Sequence, residues 1–111
     1  MRQMYGFTVA LTVLLLLSAC GQKIDDTVLQ SSISTPADGE AVALYKKQCM
    51  SCHATDLSGR VGPSLQEIGS RLTEEQLIMI IQEGEKGMPS YKNRLEQEEI
   101  EGLAQWLAKM K

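Results

Sequence analysis

The sequence predicts a small all-α domain. This expectation rests on the helical spacing of its apolar residues, on one helix with recognisable ends, and on the lack of a convincing strand pattern. From Gly39 onward apolar residues recur three and four positions apart, which places them on one helix face. Thr73 and Gln76 form a capping box before one such run, and Gly84 follows it as a C-cap.

The predicted elements follow in a simple order. Ala41, Leu44 and Tyr45 lie on one face of a first helix of about ten residues. Residues 63–69 have the composition of a short helical turn closed by glycine. The helix after Thr73 is followed by a loop at residues 85–93. A final helix is expected from about Gln97, with an apolar stripe made of Ile100, Leu103, Ala104, Leu107 and Met110.

Length and composition restrict the class of protein. The chain has 111 residues, of which 43% are hydrophobic and 23% charged, and its formal net charge is −3. These values fit one small domain and argue against a basic nucleic-acid binder or an acidic disordered tail. A core of this size buries little surface, and such domains commonly rely on disulfides, a metal or a cofactor. We therefore expect something other than side chains to fill the core.

The N-terminal residues have the pattern of an export signal. Residues 7–17 are apolar or small, with Arg2 in front, and the run is shorter than the ~20 residues that a spanning helix needs. The sequence Leu-Ser-Ala-Cys-Gly at positions 17–21 resembles the lipobox of bacterial lipoproteins. That resemblance implies removal of residues 1–19 and a diacylglyceryl group on Cys20. An ordinary secretory signal and an uncleaved anchor are the alternatives, and all three place the domain outside the cytoplasm.

The segment after the lipidation candidate lacks a regular pattern. Residues 20–38 are rich in Ser, Thr, Asp and Gln, and their apolar residues Leu29 and Ile33 are isolated. This composition predicts a flexible tether with an r.m.s. reach of roughly 23 Å, leading into a domain at residues 39–111.

The strongest chemical signal is the run Cys49-Met50-Ser51-Cys52-His53. At a helix end, residues three and four positions apart project to one side. Two thiols at this spacing can add across the two vinyl groups of a haem, and the adjoining imidazole can then bind the iron. The motif predicts one covalently attached haem c, held by Cys49, Cys52 and His53, which would also fill the core.

Three other interpretations of this motif are less consistent with the sequence. A closed zinc site needs four ligands, and apart from Cys20 the chain offers only these two cysteines and one histidine as sulfur or imidazole ligands. A thioredoxin-like dithiol would require a βαβ framework. A plain disulfide between Cys49 and Cys52 is the structural alternative, but it leaves the small core unexplained.

A sixth iron ligand cannot be a second histidine of this chain, because His53 is its only one. Met, Lys, Tyr, water or no ligand remain. Met88 is the favoured candidate, because the glycine before it permits close approach and the proline after it stiffens the loop. Met79 is expected to be ordinary helix packing. A loop methionine without a ligand role is the alternative for Met88.

Together these motifs resemble those of class I c-type cytochromes, most closely the small lipid-anchored monohaem cytochromes of Gram-positive bacteria. The resemblance covers residues 39–111 and implies a small cytochrome c fold, with three main helices and a short helical turn around one haem. It implies that the carbonyl of Pro63 orients His53 and that Met88 is the distal ligand. It also implies that Ala41 and Tyr45 meet two residues of the last helix where the first and last helices cross, Leu103 and Trp106. Ala41 stands where the family usually has glycine, and Glu96 where it usually has a Ser or Thr cap. By analogy, four residues are candidate neighbours of the haem propionates, with a solvated or core role as the alternative for each: Arg71, Tyr91, Lys92 and Trp106.

The function implied by this resemblance is one-electron transfer by a membrane-tethered, monomeric carrier that is not an enzyme. Its expected donors and acceptors are respiratory proteins such as a quinol–cytochrome c reductase and a terminal oxidase, and no nucleic-acid partner is expected. A haem peroxidase or small-gas sensor is the alternative if Met88 is absent from the iron or easily displaced. A structural lipoprotein with a disulfide and no cofactor is a third possibility.

Overall fold

A computed structural model of the chain describes residues 24–111, so the predicted signal sequence and Cys20 lie outside the described residues. Within this range there is no strand, and the all-α prediction is confirmed. None of the helices there has the length and apolar character needed to cross a membrane. The six helices of residues 24–111 are α1 (Thr27–Ser31), α2 (Pro36–Gln48), α3 (Met50–His53), α4 (Ile68–Arg71), α5 (Glu74–Glu83) and α6 (Gln97–Leu107).

The core is built on α6, which packs against both α2 and α5. Tyr45 of α2 and Trp106 of α6 are both 0% exposed, and their ring centroids lie 5.3 Å apart in an edge-on arrangement. Aromatic pairs favour this geometry because the positive ring edge meets the negative ring face. The predicted contact between these two residues is therefore confirmed.

Helix α2 begins earlier than the sequence pattern indicated. It has 13 residues and starts at Pro36, behind a capping box formed by Thr35 and Asp38. The buried Asp38 carboxylate accepts hydrogen bonds from the backbone N–H groups of Thr35 and Ser34 and from Lys109 Nζ at 2.6 Å. The Lys109 ammonium and these hydrogen bonds hold the pKa of Asp38 below its ordinary value.

The prediction of a flexible tether is wrong for the residues that form α1 and the start of α2. Leu29 of α1 is 0% exposed, and Trp106 Nε1 donates a hydrogen bond to Ser32 Oγ at 3.0 Å. Lys46 of α2 forms an ion pair with Asp26. A five-residue helix is too short to show a helical period, and it is held by tertiary contacts such as these rather than by local propensity.

The later elements match their predicted ends, with one exception. α5 lies between the Thr73 cap and Gly84, and α6 begins at Gln97 as expected. The short helical turn is not at residues 63–69 but at α4 (Ile68–Arg71), so that Gly69 lies inside it. The Gly69 N–H donates to the carbonyl of Met110 at 2.8 Å, which ties the turn to the chain's end.

Candidate functional site

The two thiols and the imidazole of the motif occupy a single helical turn. Cys49 is the C-cap residue that follows α2, and α3 carries Cys52 and His53. The His53 backbone N–H donates to the carbonyl of Cys49 at 3.0 Å, and the turn ends at Ala54, whose φ is +69°. Both cysteines are half-buried and free, whereas His53 is 8% exposed. The structure therefore brings together the three groups that the motif predicted.

A loop after α3 folds back over this turn. The backbone N–H of Gly59 donates to the carbonyl of His53 at 3.0 Å, and the N–H groups of Arg60 and Gly62 donate to that of Cys52 at 3.1 and 2.8 Å. These bonds satisfy carbonyl groups that the end of a short helix leaves without partners. They also place Pro63 beside the imidazole of His53.

Gly62 and Pro63 of this loop set the orientation of the His53 ring. Its Nδ1 lies 2.8 Å from the carbonyl oxygen of Pro63. Because a carbonyl can only accept, Nδ1 carries the proton, and the lone pair is on Nε2. A Cβ placed on Gly62 would lie 2.6 Å from Cε1 and 2.9 Å from Nε2, so only glycine fits against the ring. An oriented imidazole beside two thiols is the donor set that a haem c site requires.

Gly62 is a site residue that sequence reasoning did not single out. The family resemblance gives a role to the carbonyl of Pro63 and none to the glycine before it. The available signal was a glycine directly before a proline in a loop, since such glycines often mark a close approach of backbone to another group.

Burial also sets the protonation of one of the thiols. The apolar surroundings of Cys49, with a smaller contribution from the nearby Cys52, raise its pKa to about 11. Before haem is attached, Cys49 is therefore a neutral thiol at neutral pH, with little of the reactive thiolate form.

Met88 lies in a tight turn directly after α5. A Cβ on Gly84 would lie 2.3 Å from the Met88 carbonyl oxygen, and the Met88 N–H donates to the carbonyl of Glu85 at 2.8 Å. Gly87 has a φ of +94°, a conformation that favours glycine. The Met88 side chain is half-buried against the core. Met79, which we expected to be packed, is instead 61% exposed because it lies on the solvent side of α5.

The loop that contains Met88 is tied to the helix that carries the motif. Tyr91 Oη donates to the carbonyl of Gln48, the last residue of α2, at 2.9 Å. On the other side of the motif, Tyr45 Oη donates to the carbonyl of Ala54 at 2.7 Å. The two phenols thus brace the backbone on both sides of the attachment motif.

Each of the four propionate candidates has a partner within the protein. Arg71 donates to the carbonyl of Ser64 at 2.8 Å, Lys92 pairs with Glu83 at 3.1 Å, and Tyr91 donates to Gln48. The Trp106 indole is fully buried and donates to Ser32 Oγ. The structure therefore places Trp106 in the core, which is the alternative role named above.

An all-helical domain built around such a turn is a class I c-type cytochrome, the class of protein that carries covalently bound haem c. Residues 36–107 match the family described as cytochrome c oxidase, cbb3-type, subunit III. The chain belongs to the cytochrome c family, and Cys49 and Cys52 stand in its Cys-x-x-Cys-His positions.

Several curated relatives are similar over most of the domain. Cytochrome c-551 of Bacillus subtilis (strain 168) is 37% identical over 113 residues, which cover 97% of this chain and 93% of the relative. Cytochrome c-550 of the same organism is 28% identical over 82 residues, 74% of this chain and 67% of the relative. The menaquinol:cytochrome c reductase cytochrome c subunit of Geobacillus thermodenitrificans is 39% identical over 72 residues, 65% of this chain and 28% of the relative. These relatives support a c-type cytochrome that carries electrons and do not favour the peroxidase or gas-sensor alternative.

Proposed function

We propose that this cytochrome is a monohaem electron carrier of a respiratory chain, held at the outer face of the cell membrane by lipid on Cys20. The observation that carries the proposal is the imidazole of His53, oriented by Pro63 and Gly62 beside two thiols. A histidine held in this way has a fixed ring orientation and tautomer, as metal-ligating histidines in proteins do.

In this proposal each site residue has one task. Cys49 and Cys52 would hold the haem through two thioethers, and His53 Nε2 and the Met88 sulfur would bind its iron. Haem c, when bound, supplies a one-electron iron couple. The chain's own contribution would be to keep His53 and Met88 on the iron in both oxidation states, so that little structure would rearrange when an electron moves. A filled sixth position also excludes substrates from the iron.

The comparisons support respiratory partners for the carrier. One relative is named as a subunit of a menaquinol:cytochrome c reductase, and the matching family is named after a subunit of a cytochrome c oxidase. We therefore propose a quinol-oxidising complex as donor and a terminal oxidase as acceptor. A test follows the haem spectrum in membrane vesicles. A reduced quinol should reduce the cytochrome, and oxygen should then reoxidise it in a cyanide-sensitive step. A cytochrome that dithionite reduces but the quinol does not would contradict this role.

The lipid anchor would hold the domain close to the membrane. Since the folded part already includes α1, only six residues lie between Cys20 and Thr27, and the seven steps from one to the other span at most about 25 Å when fully extended. The body of the protein would therefore remain near the bilayer surface instead of moving on a long tether.

Labelling with palmitate tests the anchor. Cells that express the full chain should incorporate the label into this protein, and the C20S variant should lose it while keeping its haem spectrum. The S31A variant is the control, because it changes an exposed side chain near Cys20, leaves the thiol in place and should keep the label. Label that persists in C20S would contradict lipidation at this position.

A further inference from the structure

One residue joins the Met88 loop to two helices. Tyr91 follows Met88 by three positions and is 7% exposed. Its backbone N–H donates to the carbonyl of Ile81 in α5 at 3.1 Å, and its phenol donates to the carbonyl of Gln48 in α2 at 2.9 Å. The phenol bond links positions 43 residues apart in the chain.

The acceptor of this bond adjoins the attachment motif. Gln48 precedes Cys49, and the last carbonyl groups of a helix have no partner within the helix. The Tyr91 phenol supplies one such partner. Burial raises the pKa of Tyr91, so the phenol keeps its proton and remains a donor well above neutral pH.

The other side-chain bonds of the Met88 loop connect it to α5. Ser90 Oγ donates to the carbonyl of Gln82, and Lys92 pairs with Glu83, so both neighbours of Tyr91 are tied to α5. Among the hydrogen bonds of residues 24–111, that of the Tyr91 phenol is the one that connects the loop to α2.

We propose that Tyr91 is a positioning residue that keeps the sulfur of Met88 opposite His53, by fastening the methionine loop to the end of the helix that carries Cys49. This inference rests on the proposed assignment of Met88 as an axial ligand. Without the phenol bond, the loop remains attached to α5 but can move relative to the motif, and Met88 leaves the iron more often.

The chain provides a matched control in Tyr45. Its phenol also donates to a carbonyl beside the motif, that of Ala54, at 2.7 Å. Tyr45 packs edge-on against Trp106 and makes no bond to the methionine loop. Removal of this hydroxyl should reduce stability without freeing Met88.

The experiment compares Y91F and Y45F with the full-length holoprotein. Two measurements report on Met88: the far-red absorption band of methionine-ligated ferric haem, and the rate at which the ferrous form binds carbon monoxide. Loss of one neutral hydrogen bond should raise the fraction of protein with a vacant sixth position about two- to tenfold. Y91F should therefore bind carbon monoxide about two- to tenfold faster and lose part of the band. Y45F should unfold at a lower temperature with both measurements unchanged.

Two further variants separate the possible failures. If S90A, which loosens the loop only from α5, speeds carbon monoxide binding as much as Y91F does, the link to α2 has no special role and the inference is overturned. Y91F and Y45F behaving alike would overturn it as well. If M88A keeps the far-red band, the ligand assignment itself is wrong. Loss of the band in M88A together with a normal band in Y91F would refute the role of Tyr91 alone.

Discussion

The α-carbon of Gly62 lies against the imidazole of His53 so closely that a methyl group there would stand 2.6 Å from Cε1. The carbonyl of the next residue, Pro63, holds Nδ1 of the same ring at 2.8 Å. Two consecutive residues thus set both the position and the tautomer of the imidazole, because one packs against the ring and the other accepts its proton.

Replacing Gly62 by alanine should therefore disturb His53 directly. The added methyl group must push the ring away from Pro63, and we expect G62A to unfold at a lower temperature and to show an altered haem spectrum. G102A is the control, since nothing lies within 4 Å of a Cβ at Gly102, which is inside α6. The free energy of unfolding of that variant should rise by about 0.5–1 kcal/mol, because alanine is the better helix former. A normal spectrum and normal unfolding temperature in G62A would contradict the packing argument.

The N-terminal helix should contribute measurably to stability. Leu29 is 0% exposed, so L29A should lower the free energy of unfolding by about 2–4 kcal/mol through lost burial and the cavity left behind. The adjacent Val28 is 42% exposed, and V28A should change it by less than about 0.5 kcal/mol. Denaturant unfolding of both variants measures the difference. Equal midpoints would mean that α1 behaves as a tether after all.

Asp38 should make stability depend on acid pH. Its pKa in the folded protein lies below the ordinary value of 3.8, so its stabilising contribution is fully present above that pH and is lost as pH falls through the folded pKa. At pH 7, D38N should lower the free energy of unfolding by about 1–2 kcal/mol, because it weakens the cap of α2 and removes the ion pair with Lys109. This difference from the wild type should shrink below about pH 4. Unfolding experiments from pH 7 to 2 test it, with the exposed Glu40 of α2, as E40Q, for comparison. A difference that stays constant over this range would contradict the ion pair.

The reduction potential of the haem protein tests the assignment of Met88 as an iron ligand. M88A should have a lower potential than the wild type, since a soft neutral thioether favours ferrous iron. M79A is the control, because Met79 is 61% exposed on α5 and should leave the potential unchanged. Equal potentials in all three proteins would remove Met88 from the proposed ligand set.

Local patterns were sufficient to predict much of the fold. The bounds of α5 follow from Thr73 and Gly84, and the start of α6 follows from its long apolar stripe. The attachment turn was predictable because its chemistry lies within five consecutive residues. In each case, neighbours in the sequence are also neighbours in the structure.

The features that sequence reasoning missed depend on distant contacts. Ser32 is bonded to the indole of Trp106, far along the chain, and Leu29 is buried in the same core. A five-residue helix carries no periodic signal of these contacts. The role of Gly62 depends on the ring that packs against it, and that of Tyr91 on the carbonyl at the end of α2. No local spacing encodes such contacts, because they form only when the chain has folded.

The covalent link between protein and haem is the central claim, and the pyridine haemochrome spectrum of the purified protein after extraction with acidified acetone tests it most directly. We predict that the haem stays with the polypeptide, that its spectrum is that of a haem with both vinyl groups saturated, and that the intact mass exceeds that of the lipidated chain by one haem. A colourless polypeptide, or haem that passes into the acetone, would contradict the account.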